Sequence, residues 1–301
     1  MINPKAIFNI NTSDEFNSMA LDIFKHQFEN NPVYRSFCDL LYMHPSDVNH
    51  IHEIPFLPIQ FFKSHNILSS KQDIVETFTS SGTTGQTTSK HHVTNLNIYE
   101  QSFRKGFNQF YGNIEDYVVL ALLPSYLERD GSSLIYMVND LIVQSNHPES
   151  GFYLNNLDAL KNTLVKLESQ NKKVLLIGVS FALLDFVETY QLQLTNTIIM
   201  ETGGMKGKRK ELIREELHYH LKKGFGVDVI HSEYGMTELL SQGYSKGHSR
   251  FKTPPWMKIL TRDTEDALNI QDFGKTGGIN IIDLANINSC SFIASQDLGR
   301  V

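Results

Sequence analysis

The spacing of apolar residues changes twice along this chain, and each change marks a different kind of structure. Near the N-terminus, Phe16, Met19, Ala20, Ile23, Phe24 and Phe28 recur at helical spacing behind Ser13-Asp14-Glu15, a helix-start signal. Pro32 opens a second helical stretch that runs through Tyr42. The aromatic face shared by these helices is read as core. Three prolines between 45 and 58 mark a loop. Residues 74–78 read as a strand. A helix over about 96–110 carries Ile98, Phe103, Phe107 and Phe110 on one side. The unbroken apolar run 118–123, stopped by Pro124, reads as a buried strand, and 131–145 reads as a helix capped by Ser132 and Ser133.

From 157 to 235 the pattern becomes a regular alternation. Helix 157–168 precedes strand 173–179, helix 181–190 precedes strand 197–200, and helix 209–222 precedes strand 228–230. Strands separated by helices predict crossover connections and a mostly parallel, helix-covered sheet. Ligands of such sheets bind beyond the C-terminal strand ends. Both Glu201-Thr202-Gly203-Gly204 and Tyr234-Gly235 are expected there. After Trp256 the elements shorten to strands at 256–260, 278–284 and 291–294, separated by Gly, Asn and Asp turns, which predicts a small antiparallel sheet or half-barrel. The fold class is therefore α/β, with a β-rich C-terminal part.

Composition narrows the function classes. A chain of 301 residues, 41% apolar and 20% charged, can bury a sizeable core as an ordinary globular protein. A formal charge of −6 gives no whole-chain basic footprint, so nucleic acid is not an expected partner. Only two cysteines, Cys38 and Cys290, argue against a disulfide scaffold and suit a reducing, cytoplasmic compartment. The histidines show no metal-ligand spacing: His91 and His92 point to opposite faces of a strand, and His218 and His220 to different faces of a helix. No N-terminal signal is present, and no apolar run approaches the roughly 20 residues that span a membrane.

Candidate chemistry lies in two short segments. Thr79-Ser80-Ser81-Gly82-Thr83-Thr84-Gly85 holds five hydroxyl side chains and two glycines, with no apolar residue and no acid. Such a loop can curl its N–H groups and hydroxyls around a phosphate chain, or it is a Ser/Thr/Gly surface linker. It is not a Walker A loop, because no Lys follows Gly85 and Lys90 comes five residues later. Far downstream stands Tyr234-Gly235-Met236-Thr237-Glu238. Its Tyr can lie against a purine, its Gly admits close backbone approach, and its Glu is a hard oxygen ligand for Mg2+ carried in on phosphates. The structural alternative is a strand-to-helix turn with Glu238 at the helix start.

Together these segments resemble the phosphate loop and the Tyr-Gly-x-Thr-Glu segment of the adenylate-forming enzymes, which include acyl-CoA synthetases, luciferases and peptide-synthetase adenylation domains. Asp297-Leu298-Gly299-Arg300 is similar to their stretch just before the domain hinge, and all three occur in the family order. Residues 54–59 with Phe61-Phe62-Lys63, then 123–129, then 201–207, resemble the narrower acyl-protein synthetase branch, the long-chain fatty acid–protein ligases of bacterial bioluminescence and their relatives. The resemblance runs from about residue 50 to the C-terminus.

The resemblance implies one large adenylation domain over 1–301, with a helical segment 1–50, an α/β nucleotide-binding core 51–250 and a β-rich subdomain 251–301. It implies ATP and Mg2+ as cofactors. Ser80, Ser81, Gly82, Thr83, Thr84 and Gly85 would cradle the β,γ-phosphates, with Thr84 and Glu238 at the metal and as the catalytic pair. Tyr234 would stack on adenine beside Gly235 and Thr237, Gly203 and Gly204 would line its other side, and Asp297 would hold the ribose. The substrate is a carboxylic acid, fatty by resemblance, activated to acyl-AMP and passed to a thiol on a protein, a carrier or CoA. Phe181, Met205 and Met236 are candidate acyl-pocket residues or simply core, and Arg129 either neutralises an anion or pairs with a surface acid. Relatives carry a lid domain beyond the hinge, with a catalytic Lys and, in this branch, an acyl-accepting Cys. This chain ends at Val301, and Cys290 precedes Asp297, so the lid is expected to be absent and Cys290 to be a small buried hydrophobe. A shortened chain or an unusually short homologue would then bind nucleotide and turn over weakly. An acyl- or aryl-CoA ligase and a non-catalytic nucleotide-binding module remain alternatives. A phosphotransferase lacks its loop.

Overall fold

The computed structural model describes residues 2–81, 87–124, 131–203 and 212–301. The chain forms two compact units that interleave along the sequence. One comprises Met1–Lys105, Met236–Ser241 and Thr253–Val301, and the other Gly106–Gly235 and Gln242–Lys252.

The first unit opens with the helix Ser13–Asn30, closed at its start by a capping box between Thr12 and Glu15. Asn31 then caps the helix Pro32–Leu40, with Pro32 in its first turn, where no N–H is needed. The aromatic face forms core as expected: Phe24 packs edge-on against Phe28, Tyr34 and Phe292, and Tyr34 stacks on Phe292 at 6.0 Å. A four-stranded sheet runs in the order Leu57–Pro58, Phe292–Arg300, Thr276–Asp283, Met257–Arg262. Its last three strands are antiparallel, as the C-terminal pattern predicts. Leu57–Pro58, read as loop, instead pairs in parallel with Ile293 and Ala294. Two residues, one of them a proline, give no periodicity to detect, and only this distant partner makes them a strand. A separate hairpin, Glu76–Thr79 with Lys90–Val93, flanks the hydroxyl- and glycine-rich segment.

The second unit is built on a seven-stranded sheet, ordered Phe251–Lys252, Gly243–Ser245, His231–Tyr234, Thr197–Thr202, Val174–Val179, Val118–Leu122, Gly151–Phe152. The five strands from His231–Tyr234 to Gly151–Phe152 are parallel, and the two others run antiparallel at one edge. Val174–Val179 is buried at every position, which explains its continuous apolar sequence. The helices Ser133–Ser145, Leu157–Ser169, Ser180–Thr189 and Arg214–Phe225 are the predicted helical segments, and Ser132 is the cap of the first. Several boundaries differ, and Thr197–Thr202 takes in Glu201 and Thr202, which were expected beyond the strand end. The strand expected at 228–230 is His231–Tyr234, because pairing fixes it from both sides: Met200 opposes His231, and Ser245 opposes Ser232. The helix expected from 209 begins at Arg214 and ends at the left-handed Gly226, while 209–211 lie outside the described residues.

Candidate functional site

In the first unit, the segment leading out of the hydroxyl-glycine loop meets the Thr237-Glu238 turn. Ser80 N–H donates to the Ser89 carbonyl at 3.1 Å, and Ser89 N–H donates back to Ser80 Oγ at 2.9 Å. This pair of bonds closes the base of the loop. The Ser89 side chain acts on the Glu238 carboxyl and lowers it. Two residues on, His91 lies within 2.8 Å of the Thr237 carbonyl through Nδ1. His91 is 1% exposed, and burial pushes its imidazole down to about 4. The ring is therefore neutral, and because a carbonyl only accepts, Nδ1 carries the proton. Phe62 meets this ring edge-on at 5.8 Å.

Glu238 is 5% exposed. Burial raises its carboxyl above the ordinary range, while the Ser89 hydroxyl, its own N–H and the Lys63 charge pull it down. No helix starts here. Residues 236–239 form a turn closed by Leu239 N–H on the Met236 carbonyl at 3.1 Å. The turn is anchored from behind. The Asn286 amide donates to the Glu238 carbonyl at 2.7 Å, and buried Asp283 accepts from Leu240 N–H, Ser241 N–H and Ser241 Oγ at 2.8, 2.9 and 2.6 Å. Asp297 stands on the exposed part of the strand Phe292–Arg300, its N–H on Ser295 Oγ. Lys90 is exposed and alternates with buried His91, so it points away from the face that meets Thr237.

The second unit holds Gly203, Tyr234 and Gly235. Gly203 directly follows the strand Thr197–Thr202 in a left-handed turn (φ +66°), and its carbonyl accepts from Ser180 Oγ at 2.7 Å. Buried Glu201 faces Arg214 and His218 at 3.7 and 3.5 Å. Tyr234 ends its strand with its ring 6.1 Å from Phe251, and Arg214 lies 4.9 Å over Phe251. A Cβ at Gly235 would sit 2.6 Å from a Glu233 carboxylate oxygen, so the end of that side chain would have to shift. Gly82, Thr83, Thr84, Gly85, Gly204, Met205 and Arg129 lie outside the described residues.

Sequence reasoning missed Ser89, His91 and Ser180. Ser89 and His91 carried a faint signal, being two positions apart beside the loop, both with polar side chains. Ser180 had none, since its partners Glu201 and Gly203 are 21 and 23 residues away. Glu201, expected beyond a strand end, lies inside the strand Thr197–Thr202. Among the described residues, no group of three or more His, Cys, Asp and Glu could hold a metal. One buried carboxylate with a hydroxyl beside it suits Mg2+ arriving on phosphates, because Mg2+ keeps few protein ligands.

The mixed parallel and antiparallel α/β fold is shared with solved structures of low sequence identity. The chain aligns with a crystal structure of an open conformation of 2-hydroxyisobutyryl-CoA ligase in complex with 2-HIB-AMP and CoA, at a TM-score of 0.70 and 10% identity, covering 95% of this chain and 64% of that one. ATP-bound MatB from Rhodopseudomonas palustris gives a TM-score of 0.56 at 13% identity over 77% of this chain and 46% of that one. At the sequence level, 68 residues are 34% identical to the long-chain-fatty-acid–luciferin-component ligase of Photorhabdus luminescens, which is 22% of this chain and 58% of that protein. The chain thus matches less than two thirds of the length of each of these relatives. The family model for acyl-protein synthetase, LuxE, matches residues 3–301. The chain belongs to that family.

Proposed function

We propose that this chain binds ATP and activates a carboxylic acid as its acyl-adenylate. The observation that carries this reading is the meeting of the segment leading out of the loop with the Thr237-Glu238 turn, tied by His91. A carboxylate is a poor electrophile. Its oxygen attacks the α-phosphorus, the bond to the β-phosphate breaks, pyrophosphate leaves, and the product is a mixed anhydride with a good leaving group. The protein's task is to hold the triphosphate, offset its charge and align the two reactants.

Ser80, Ser81, Gly82, Thr83, Thr84 and Gly85 bind the β,γ-phosphates with hydroxyl and N–H donors. Glu238 and Thr84 hold Mg2+, which when bound offsets phosphate charge. By resemblance to the family, Tyr234, Gly235, Thr237, Gly203 and Gly204 are assigned to adenine and Asp297 to the ribose hydroxyls. The name of the Photorhabdus relative, a long-chain-fatty-acid ligase, supports a fatty acid, and the family name supports transfer to a protein; a thiol there, or on a carrier or CoA, is the acceptor of this reading. No helix among the described residues is long and apolar enough to cross a membrane, in keeping with a cytoplasmic enzyme.

Isotope exchange between pyrophosphate and ATP across a panel of acids tests the proposal. Exchange is expected with long-chain acids, and Glu238→Gln is expected to lower it by roughly 100-fold. If the wild-type chain neither exchanges with any acid nor binds MgATP, the reading is wrong.

A further inference from the structure

We infer that His91 is a positioning residue of this site: its Nδ1–H holds the Thr237 carbonyl, and through it Glu238, against the strand that leads out of the hydroxyl-glycine loop. The inference rests on the functional reading above. Three features of the first unit converge on it.

The first is direction. In the strand Lys90–Val93 the exposed Lys90 alternates with buried His91, so His91 faces the interior and meets the 236–241 segment. The second is bond geometry. The 2.8 Å contact joins a ring nitrogen to a backbone carbonyl 146 positions away, and the perpendicular Phe62 ring (89°) on the flank fixes the plane of the imidazole. A histidine kept only to fill volume would not need a donor aimed at one carbonyl. The third is the neighbouring residue. Ser89, two positions before His91, acts on the Glu238 carboxyl, while His91 holds the Thr237 carbonyl. One short segment therefore meets both residues of the turn. Burial keeps His91 neutral at physiological pH, so the tie does not switch with pH there. Among the described residues, the Lys63 charge acts on Glu238 and the adjacent His92 on His91.

Asn can place an amide N–H near the position of Nδ1, whereas Gln reaches toward that of Nε2 and Phe keeps the ring without a donor. Calorimetric titration of MgATP into the full chain, with thermal unfolding of each variant, therefore separates donation from bulk. His91→Phe and His91→Gln are each expected to weaken MgATP binding about tenfold, the loss of one buried hydrogen bond, and His91→Asn to stay within about threefold. With EDTA in place of Mg2+ the variants should bind ATP alike. In a Glu238→Gln background, His91→Phe should cause no further loss, because the group it positions is already disabled. Wild-type affinity in His91→Phe or His91→Gln overturns the inference, as does an equal loss in folded His91→Asn or an undiminished loss in the Glu238→Gln background. Should His91→Phe fail to unfold cooperatively, the Asn and Gln pair decides alone. A wild-type chain with no affinity for MgATP overturns the functional reading, and this inference with it.

Discussion

At the level of single residues, two buried titratable groups of the first unit act on stability with opposite signs. His91 is held down to about 4 from 6.5 by burial. As pH falls below 6.5 the unfolded chain takes up a proton at this site while the folded chain does not, so the stability present above 6.5 is lost on the way down to 4. The span corresponds to ~3 kcal/mol. Asp283 is pushed up to about 6 from 3.8, because burial outweighs the donors Leu240, Ser241 and Ala285. Its unfolded form ionises first as pH rises, so its contribution is lost between 3.8 and 6. His231 in the second unit is also lowered to about 4, by burial and the Lys246 charge, and works in the same direction as His91. His91→Asn should therefore flatten the rise in stability between pH 4.5 and 6.5 without abolishing it. Urea unfolding at several pH values measures this, and an unchanged slope would show that His91 titrates normally.

At the level of elements, the sequence was most legible where a single period ruled. The alternation from 157 onward gave the parallel sheet, and the segment after each of two strands was correctly expected to carry the Gly203 and Gly235 turns. It was least legible where pairing rather than propensity decides. His231-Ser232-Glu233-Tyr234 has little apolar pattern, yet it is a strand because Thr197–Thr202 and Gly243–Ser245 flank it. Helix contacts show the same limit. A Cβ at Gly224 would sit 2.2 Å from the Val187 Cβ, whereas a Cβ at Gly106 meets nothing within 4 Å. Both glycines lie in helices, Arg214–Phe225 and Leu96–Tyr111, and look alike in sequence. Gly106→Ala should stabilise by roughly 0.5–1 kcal/mol through helix propensity alone. Gly224→Ala gains the same propensity but forces the helices Ser180–Thr189 and Arg214–Phe225 apart, with a net loss of about 1–2 kcal/mol. Calorimetric unfolding should move the two variants in opposite directions, and a shared sign would contradict the packing derived for Gly224.

At the level of the whole molecule, the five-residue segment from Tyr234 to Glu238 is divided between the units, with Tyr234 and Gly235 in one and Met236, Thr237 and Glu238 in the other. No linear reading of the motif foretells that division, because it depends on which distant residues each half touches. The cysteines follow from the same consideration of the folded chain. Both Cys38 and Cys290 belong to the first unit, both are free and fully buried, and burial pushes each thiol up to about 12. A thiol with that value and no exposure supplies almost no thiolate near neutral pH, and the thiolate is the nucleophile that would take an acyl group. Cys290 is spent instead as a small apolar residue whose thiol donates to the Phe292 carbonyl at 3.4 Å. The acceptor in the proposed transfer is therefore a thiol other than these two. Iodoacetamide at pH 8 should alkylate neither cysteine of the native chain and both after denaturation. Incubation with ATP and a radiolabelled fatty acid should give no hydroxylamine-labile label on Cys38 or Cys290. A labelled thioester on either residue would mean that the first unit opens during turnover and that its buried thiols take part in the chemistry.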